Sequence, residues 1–379
     1  MCGSTDKAAC SRFDNHDNGF LSFMKSRLMI LGSSNFNNFH SNGEGLFIVC
    51  NLFLNGGETL ESFTKTKIST EQQNDLVGAA FGSHVSIDRS TELTGGYFNA
   101  AYDLLLSDGR AMILKIAPSD ETDTLSYEHD IMAVEVAAMR LMKSKGTVPV
   151  PEVYAYDNSK KLISSEFFFM EKIVGQPYNE IKEELSPQQR ISIETELGHY
   201  CQLINEIHGE RFGLYSASTP VKGTSWRETF QLLITNLLED ARRLKAEMPI
   251  PIETIEAEII SRLHVMDVVT EPRLVHWDLW DGNVFVREGR IVALIDWERA
   301  LWGDPLMEYY FRYIENSEHF CRGYGNSFDN PNECARKKLY DLYIDLIYFI
   351  ECYSRNYDSQ GHFKWAHENL LEGWKRFMA

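Results

Sequence analysis

The chain has 379 residues, of which 44% are hydrophobic and 24% charged, and its formal net charge is −18 at pH 7. Such a composition belongs to an ordinary globular protein of roughly two or three folding units, and excludes collagen-like, low-complexity and membrane-embedded classes. The acidic balance repels nucleic acid and anionic membrane surfaces and is compatible with a cationic ligand.

The longest apolar stretch, Leu46–Leu54, is broken by Asn51 and is far shorter than the roughly 20 residues that a membrane helix needs. Seven scattered cysteines without a Cys-x-x-Cys pair fit a reducing cytoplasm. The first residues lack the basic, apolar and small-residue succession of a secretory signal.

Residues 1–67 are rich in Asn, Ser, Gly and Phe and show no helical or strand period. They are expected to be a poorly structured extension, or translated upstream sequence with Met24 as an alternative start. From Ile68 the pattern becomes regular. Ala101–Leu106 and Ala111–Ile116 flank Ser107-Asp108-Gly109, which predicts a hairpin. Ile131, Val134, Ala138, Leu141 and Met142 recur at helical spacing, so a helix is predicted over Thr124–Lys145, stopped by Gly146. Pro149-Val150-Pro151 forces an extended connection. Phe167-Phe168-Phe169-Met170 reads as a buried strand.

Beyond Gly175-Gln176-Pro177 the signals are helical. Ser186, Pro187 and Gln189 form a capping pattern for a helix running to about His208, and Ser225 with Glu228 repeats that logic. Strands first and helices later predict a two-lobed α+β protein, with residues 68–172 and 173–379 as its units and Glu171–Pro177 as the join.

The chemically informative run is His276-Trp277-Asp278-Leu279-Trp280-Asp281-Gly282-Asn283, followed after one more hairpin by Ile295-Asp296-Trp297. Asn283 lies 5 residues after Asp278, and Asp296 lies 13 after Asn283. These offsets match the catalytic loop and following metal-binding aspartate of kinase-like proteins. A loop between two strands can hold one carboxylate against a substrate hydroxyl while two further oxygen donors face one bound nucleotide. Hard oxygen ligands of this type suit Mg²⁺.

On this run the chain resembles the aminoglycoside phosphotransferase family, which includes choline, homoserine and fructosamine kinase relatives. Glu135–Arg140, Val148–Val153, Met170–Gly175 and Trp302-Gly303-Asp304-Pro305 also fit the family pattern. The resemblance implies a protein-kinase-like fold, with a small nucleotide-binding lobe and a larger helical lobe carrying the acceptor site. It also implies transfer of the γ-phosphoryl group of ATP, or GTP, to a hydroxyl of a small molecule. By position, Asp278 resembles the catalytic base, Asn283 and Asp296 the Mg²⁺ ligands, and Lys115 the phosphate-contacting lysine with Glu135 as its helix partner. Gly95 and Gly96 resemble the phosphate-covering turn, and Glu171 and Ile173 the backbone clasp for the base.

Two positions depart from the family. Trp277 replaces its usual Gly, and Trp280 replaces a His, so a side chain that could carry charge or a proton gives way to an indole. His276 is read as structural. The C-terminal third is dense in aromatics and acids, among them Glu308, Tyr309, Tyr310, Tyr313, Glu315, Tyr343, Asp345, Tyr348 and Glu351. Carboxylates beside aromatic faces would suit an amine-bearing acceptor. The helical spacing of Tyr309, Tyr313, Tyr343, Ile347 and Ile350 better fits a core stripe with the acids on a solvated face. A nucleotide-binding pseudokinase and a nucleotidyl transferase are the alternative functions.

Overall fold

In the run Ala100–Leu106 every second residue is buried and the rest are half-buried, the mark of a strand covered on both faces. A computed structural model describes residues 65–94, 98–215, 222–308, 317–355 and 360–379. The expectations for residues 1–64 lie outside this set.

An antiparallel sheet of order β1-β2-β3-β5-β4 is built from β1 (Ile87–Leu93), β2 (Ala100–Leu106), β3 (Ala111–Ile116), β4 (Val153–Asp157) and β5 (Phe167–Glu171). One face, with Tyr102, Leu104, Leu114 and Phe169, packs on Leu76 and Val77 of helix α1 (Thr70–Phe81). The opposite face, with Phe168 and Met170, merges into the main core together with helix α2 (Ile131–Lys145). Lys115 pairs with Phe168 across β3 and β5, so strand alternation turns it toward α2 while its neighbour Leu114 faces α1.

Helix α1 and strand β1 carry few apolar residues, and only a capping box at Ser69 and Gln72 marks them in the sequence. The second helix starts later than its periodicity predicts, at Ile131 instead of Thr124. Long-range bonds hold the preceding segment, where Ser126 N–H and Oγ donate to Asp240 at 2.7 and 2.9 Å, and a local one joins them, Leu125 N–H donating to Glu128 at 2.8 Å. Gly146 ends the helix in the left-handed conformation, as expected.

The small strand β6 (Gln176–Pro177) and helix α3 (Tyr178–Ile181) lead to α4 (Pro187–Asn205), which has the predicted capping box at Ser186 and Gln189. It stops at Asn205, short of His208, because Ile207 and Gly209 form backbone bonds to Leu274 and Pro272. Next come β7 (Phe212–Leu214), β8 (Lys222–Gly223), α5 (Trp226–Arg243), α6 (Ile252–Arg262), β9 (Arg273–Val275), β10 (Val284–Arg287), β11 (Arg290–Leu294) and β12 (Leu301–Gly303). Strands β11, β10 and β6 form one small sheet, and β8, β7, β12 and β9 another. Helices α7 (Glu318–Tyr324), α8 (Pro331–Arg355) and α9 (Gln360–Met378) complete an α+β architecture with the sheet first and the helices after it. No helix among the described residues is long and apolar enough to cross a membrane.

Helices α4 and α7 cross at backbone contact. A Cβ on Gly198 would lie 2.1 Å from the Phe320 carbonyl oxygen, and one on Gly323 would lie 1.9 Å from that of Thr195. Gly198→Ala or Gly323→Ala must therefore push the helices apart, and each should destabilise the protein by about 2–3 kcal/mol in urea unfolding.

Candidate active site

Strand β9 delivers the loop 276–283, and the hairpin β10–β11 returns the chain beside it, with Ile295 N–H donating to the Asn283 carbonyl at 3.0 Å. This return brings Asp296 next to the loop. The imidazole of His276 is buried. Its Nδ1 accepts from the Asp278 amide at 3.3 Å, so the ring is neutral and its Nε2 proton faces the Ile295 carbonyl at 2.9 Å.

Beneath the loop lies Glu308, also fully buried. Its carboxylate accepts from the amides of His276 and Leu279 at 3.1 Å and of Trp277 at 3.3 Å. One anion thus satisfies three donors that flank Asp278. On the far side, Lys182 pairs with the buried Asp281 at 2.9 Å. The Asn283 Nδ2 donates to the Asp278 carbonyl at 2.8 Å and to its Oδ2 at 3.2 Å. Burial raises the Asp278 carboxyl to about 7, with Asp296 and Glu298 adding to the rise and Arg299 opposing it.

Lys115, 7% exposed, closes the other wall. Its Nζ lies 2.8 and 2.9 Å from the two Glu135 oxygens and 2.7 Å from Asp296 Oδ1. Burial works against the ammonium, but the Asp296 and Glu135 carboxylates outweigh it and hold the lysine above its ordinary range. Burial raises the Glu135 carboxyl, which Lys115 opposes. Asp296 itself sits at φ 59, opening the single turn Trp297–Arg299.

Of the residues singled out in the sequence, Lys115, Glu135, Asp278, Asn283 and Asp296 converge on one cleft. Gly95 and Gly96 lie outside the described residues. Just beyond them, the buried Asn99 donates to Glu298 at 2.9 Å, which ties the start of β2 to the segment after Asp296. Glu171 ends β5, and the half-buried Ile173 follows it in the join.

Trp277 adopts φ 61, where glycine is free of strain and other residues are disfavoured by about 1 kcal/mol. Its buried indole stacks on Tyr343 at 5.7 Å and meets Tyr127 edge-on at 5.9 Å. The Trp280 ring lies against Gly282, where a Cβ would come within 2.3 Å of it.

Tyr343, Ile347 and Ile350 are core, as their spacing predicts. The expectation that the acids of this region form a solvated face holds at the exposed Glu318 and fails at three others. Glu308, Asp345 and Glu351 are all buried and bonded, since the low-dielectric interior holds carboxylates only when donors meet them. Tyr309, Tyr310, Tyr313 and Glu315 lie outside the described residues. Sequence reading missed the clamping role of Glu308 and the position of Arg299 beside the cleft. Neither carries a short-range signal beyond its closeness to the Gly303-Asp304-Pro305 and Asp296-Trp297 runs.

Glu308→Ala would leave three buried amides without an acceptor and should cost about 3 kcal/mol of stability in thermal unfolding. His276 generates a pH dependence. Unfolded, it titrates near 6.5; in the fold, burial lowers it to about 4, against the pull of the Ile295 carbonyl. The unfolded chain therefore binds more protons in this interval. Stability is full above pH 6.5 and falls as pH drops toward 4, by about 3 kcal/mol in all. In His276→Asn that slope should disappear from urea titrations over the same range.

Over 238 residues, 60% of this chain, the sequence is 24% identical to acyl-CoA dehydrogenase family member 11 of Rattus norvegicus. That match covers 28% of the relative, so the chain spans under a third of its length. The fold is similar to that of APH(2")-IIa in its ternary complex with streptomycin and ATP, with a TM-score of 0.57, 16% identity, and coverage of 82% of this chain and 99% of that one. A thermostable mutant of APH(4)-Ia bound to ADP and hygromycin B gives a TM-score of 0.54 at 17% identity, covering 81% of this chain and 99% of the other. Residues 90–333 match the model of the phosphotransferase enzyme family, and the chain belongs to that family.

Proposed function

We propose that this protein is a small-molecule kinase that transfers the γ-phosphoryl group of ATP, or GTP, to an alcohol hydroxyl. The nucleotide would lie between the units 68–172 and 173–379. The observation that carries this reading is the Lys115 ammonium, held at 2.7–2.9 Å between Glu135 of α2 and Asp296 beside the catalytic loop. A lysine fixed in this way, opposite a half-buried Asp278, supplies the two things phosphoryl transfer needs: charge to meet the phosphates and an oriented carboxylate to receive a proton.

Asp278 would accept the proton of the acceptor hydroxyl as its oxygen attacks the γ-phosphorus and the bond to the β-phosphate oxygen breaks. Lys115 would contact the phosphates, and Gly95 and Gly96 would cover them. The Glu171 carbonyl and the Ile173 amide would clasp the base. Asn283 spends its Nδ2 on Asp278, and Asp296 spends one oxygen on Lys115. Each keeps an oxygen donor, and this pair fits Mg²⁺. Bound there, the metal would supply charge neutralisation at the phosphate oxygens. The reducing cytoplasm is the proposed location.

The test is ADP release and acceptor mass gain across aminoglycosides, choline, homoserine, sugar amines and hydroxylated acyl-CoA thioesters, the last prompted by the name of the rat relative. Asp278→Asn should lower kcat by roughly 10²- to 10⁴-fold while nucleotide binding persists. Turnover at the wild-type rate would refute the assignment of Asp278. Trp277 and Trp280 favour a second reading, a pseudokinase, which tight Mg·ATP binding without any phosphorylated product would support. Release of pyrophosphate in place of ADP would point to nucleotidyl transfer.

A further inference from the structure

We propose that Arg355 is a positioning residue for nucleotide binding. Acting through Phe98 and Glu128, it keeps Lys115 and Glu135 aligned with Asp296 when a nucleotide draws Lys115 and Asp296 to its own charges. This rests on the phosphotransferase reading above.

Lys115 and Asp296 are bonded to each other at 2.7 Å, and the reading assigns both to the nucleotide, the first to its phosphates and the second to its metal. The charges of the ligand compete with that bond. The alignment of the sheet with the helical part then depends on contacts that the ligand does not replace, and two of these lie at the start of β2. Asn99 Nδ2 donates to Glu298 at 2.9 Å, and the Phe98 ring centre lies 5.2 Å from the Arg355 guanidinium carbon. Phe98 and Asn99 are both buried. They immediately precede Ala100 and Ala101, which pair with Ile116 and Lys115. A shift at Phe98 is therefore passed to Lys115 through the ladder of β2 and β3.

Arg355 ends α8 and is 7% exposed. Glu351, one turn earlier on the same helix, pairs with it at 3.3 Å, and Glu128 pairs with it at 2.6 Å. Glu128 ends the turn Ser126–Glu128 ahead of α2, the helix that carries Glu135. One guanidinium of α8 thus meets the approaches to both elements that hold the Lys115–Glu135 pair. Attraction to the face of an aromatic ring strengthens when the cation is withdrawn from water, as it is here. With two carboxylates on it and little exposed surface, this arginine is placed to hold protein groups, and the phosphates are left to Lys115.

Calorimetry with Mg·ATP and with adenosine separates positioning from general stability, because Lys115 meets phosphates and adenosine has none. Arg355→Met should weaken Mg·ATP by about tenfold and adenosine by less than about twofold. Phe98→Leu should weaken Mg·ATP by at least about threefold, again sparing adenosine. The double variant should bind Mg·ATP no more weakly than Arg355→Met, since both substitutions remove one contact. Arg355→Lys should recover part of the affinity, because it keeps the charge. Equal weakening of Mg·ATP and adenosine, or unchanged Mg·ATP affinity in a folded Arg355→Met, would overturn the proposal. So would a loss of Mg·ATP affinity in Arg355→Met that Phe98→Leu does not share, the sign of a direct phosphate contact. Phe98→Leu leaves the ion pairs of Arg355 in place and decides the matter if Arg355→Met does not fold. Failure of the phosphotransferase reading has a different signature: Mg·ATP binding that depends on Arg355 in this way, with no phosphorylated product from any acceptor. A wild type that binds no nucleotide would overturn both.

Discussion

A buried ammonium requires counter-charge, and in this protein the requirement is met from three separate stretches of chain. Lys115 comes from β3, Glu135 from α2 and Asp296 from the segment after β11. In a low-dielectric setting, removing Lys115 would leave two carboxylates facing each other without a cation, so the trio holds the sheet and the helical part in one relation. Neighbouring contacts reinforce that relation at its edge. Asn99 reaches Glu298, and Arg355 at the end of α8 pairs with Glu128 while covering Phe98 at 5.2 Å.

The loop that carries Asp278 is supported mainly by groups that never face the cleft. Glu308 binds its amides, His276 ties it to Ile295, and Asp281 anchors it through Lys182. Deeper still, Asp304 is bonded by Arg336 and by the Tyr340 hydroxyl at 2.6 Å, which in turn accepts from the Trp226 indole at 2.7 Å. Polar residues in this chain thus divide by location more than by type. Those at the cleft retain an unused oxygen or nitrogen, and those beneath it are bonded to fix the position of the first group.

Local pattern made some of this legible. The hairpin β2–β3, the capped starts of α4 and α5, and the spacing of Asp278, Asn283 and Asp296 all follow from residues close in sequence, where short-range chemistry decides. Helix α2 starts later than its periodicity predicts because Asp240, 114 residues away from Ser126, competes for the backbone of that turn. The sequence around Glu308 predicts a solvated acid because nothing nearby distinguishes a carboxylate under a loop from one in water. Only the return of the chain beneath β9 makes the difference. Arg299 escapes a sequence reading for a related reason: its bond to the Tyr127 hydroxyl, 172 residues away, exists only in three dimensions.

Trp277 has a further consequence. Its left-handed backbone places the indole between Tyr343 and Tyr127, so the peptide beside Asp278 cannot rotate without unstacking both rings. With glycine at that position the loop would have conformations to lose when a ligand arrives. With tryptophan that entropy is surrendered during folding, and the loop meets its ligands already ordered. The cost is adaptability, since a rigid loop selects among acceptors by shape where a mobile one could adjust to several.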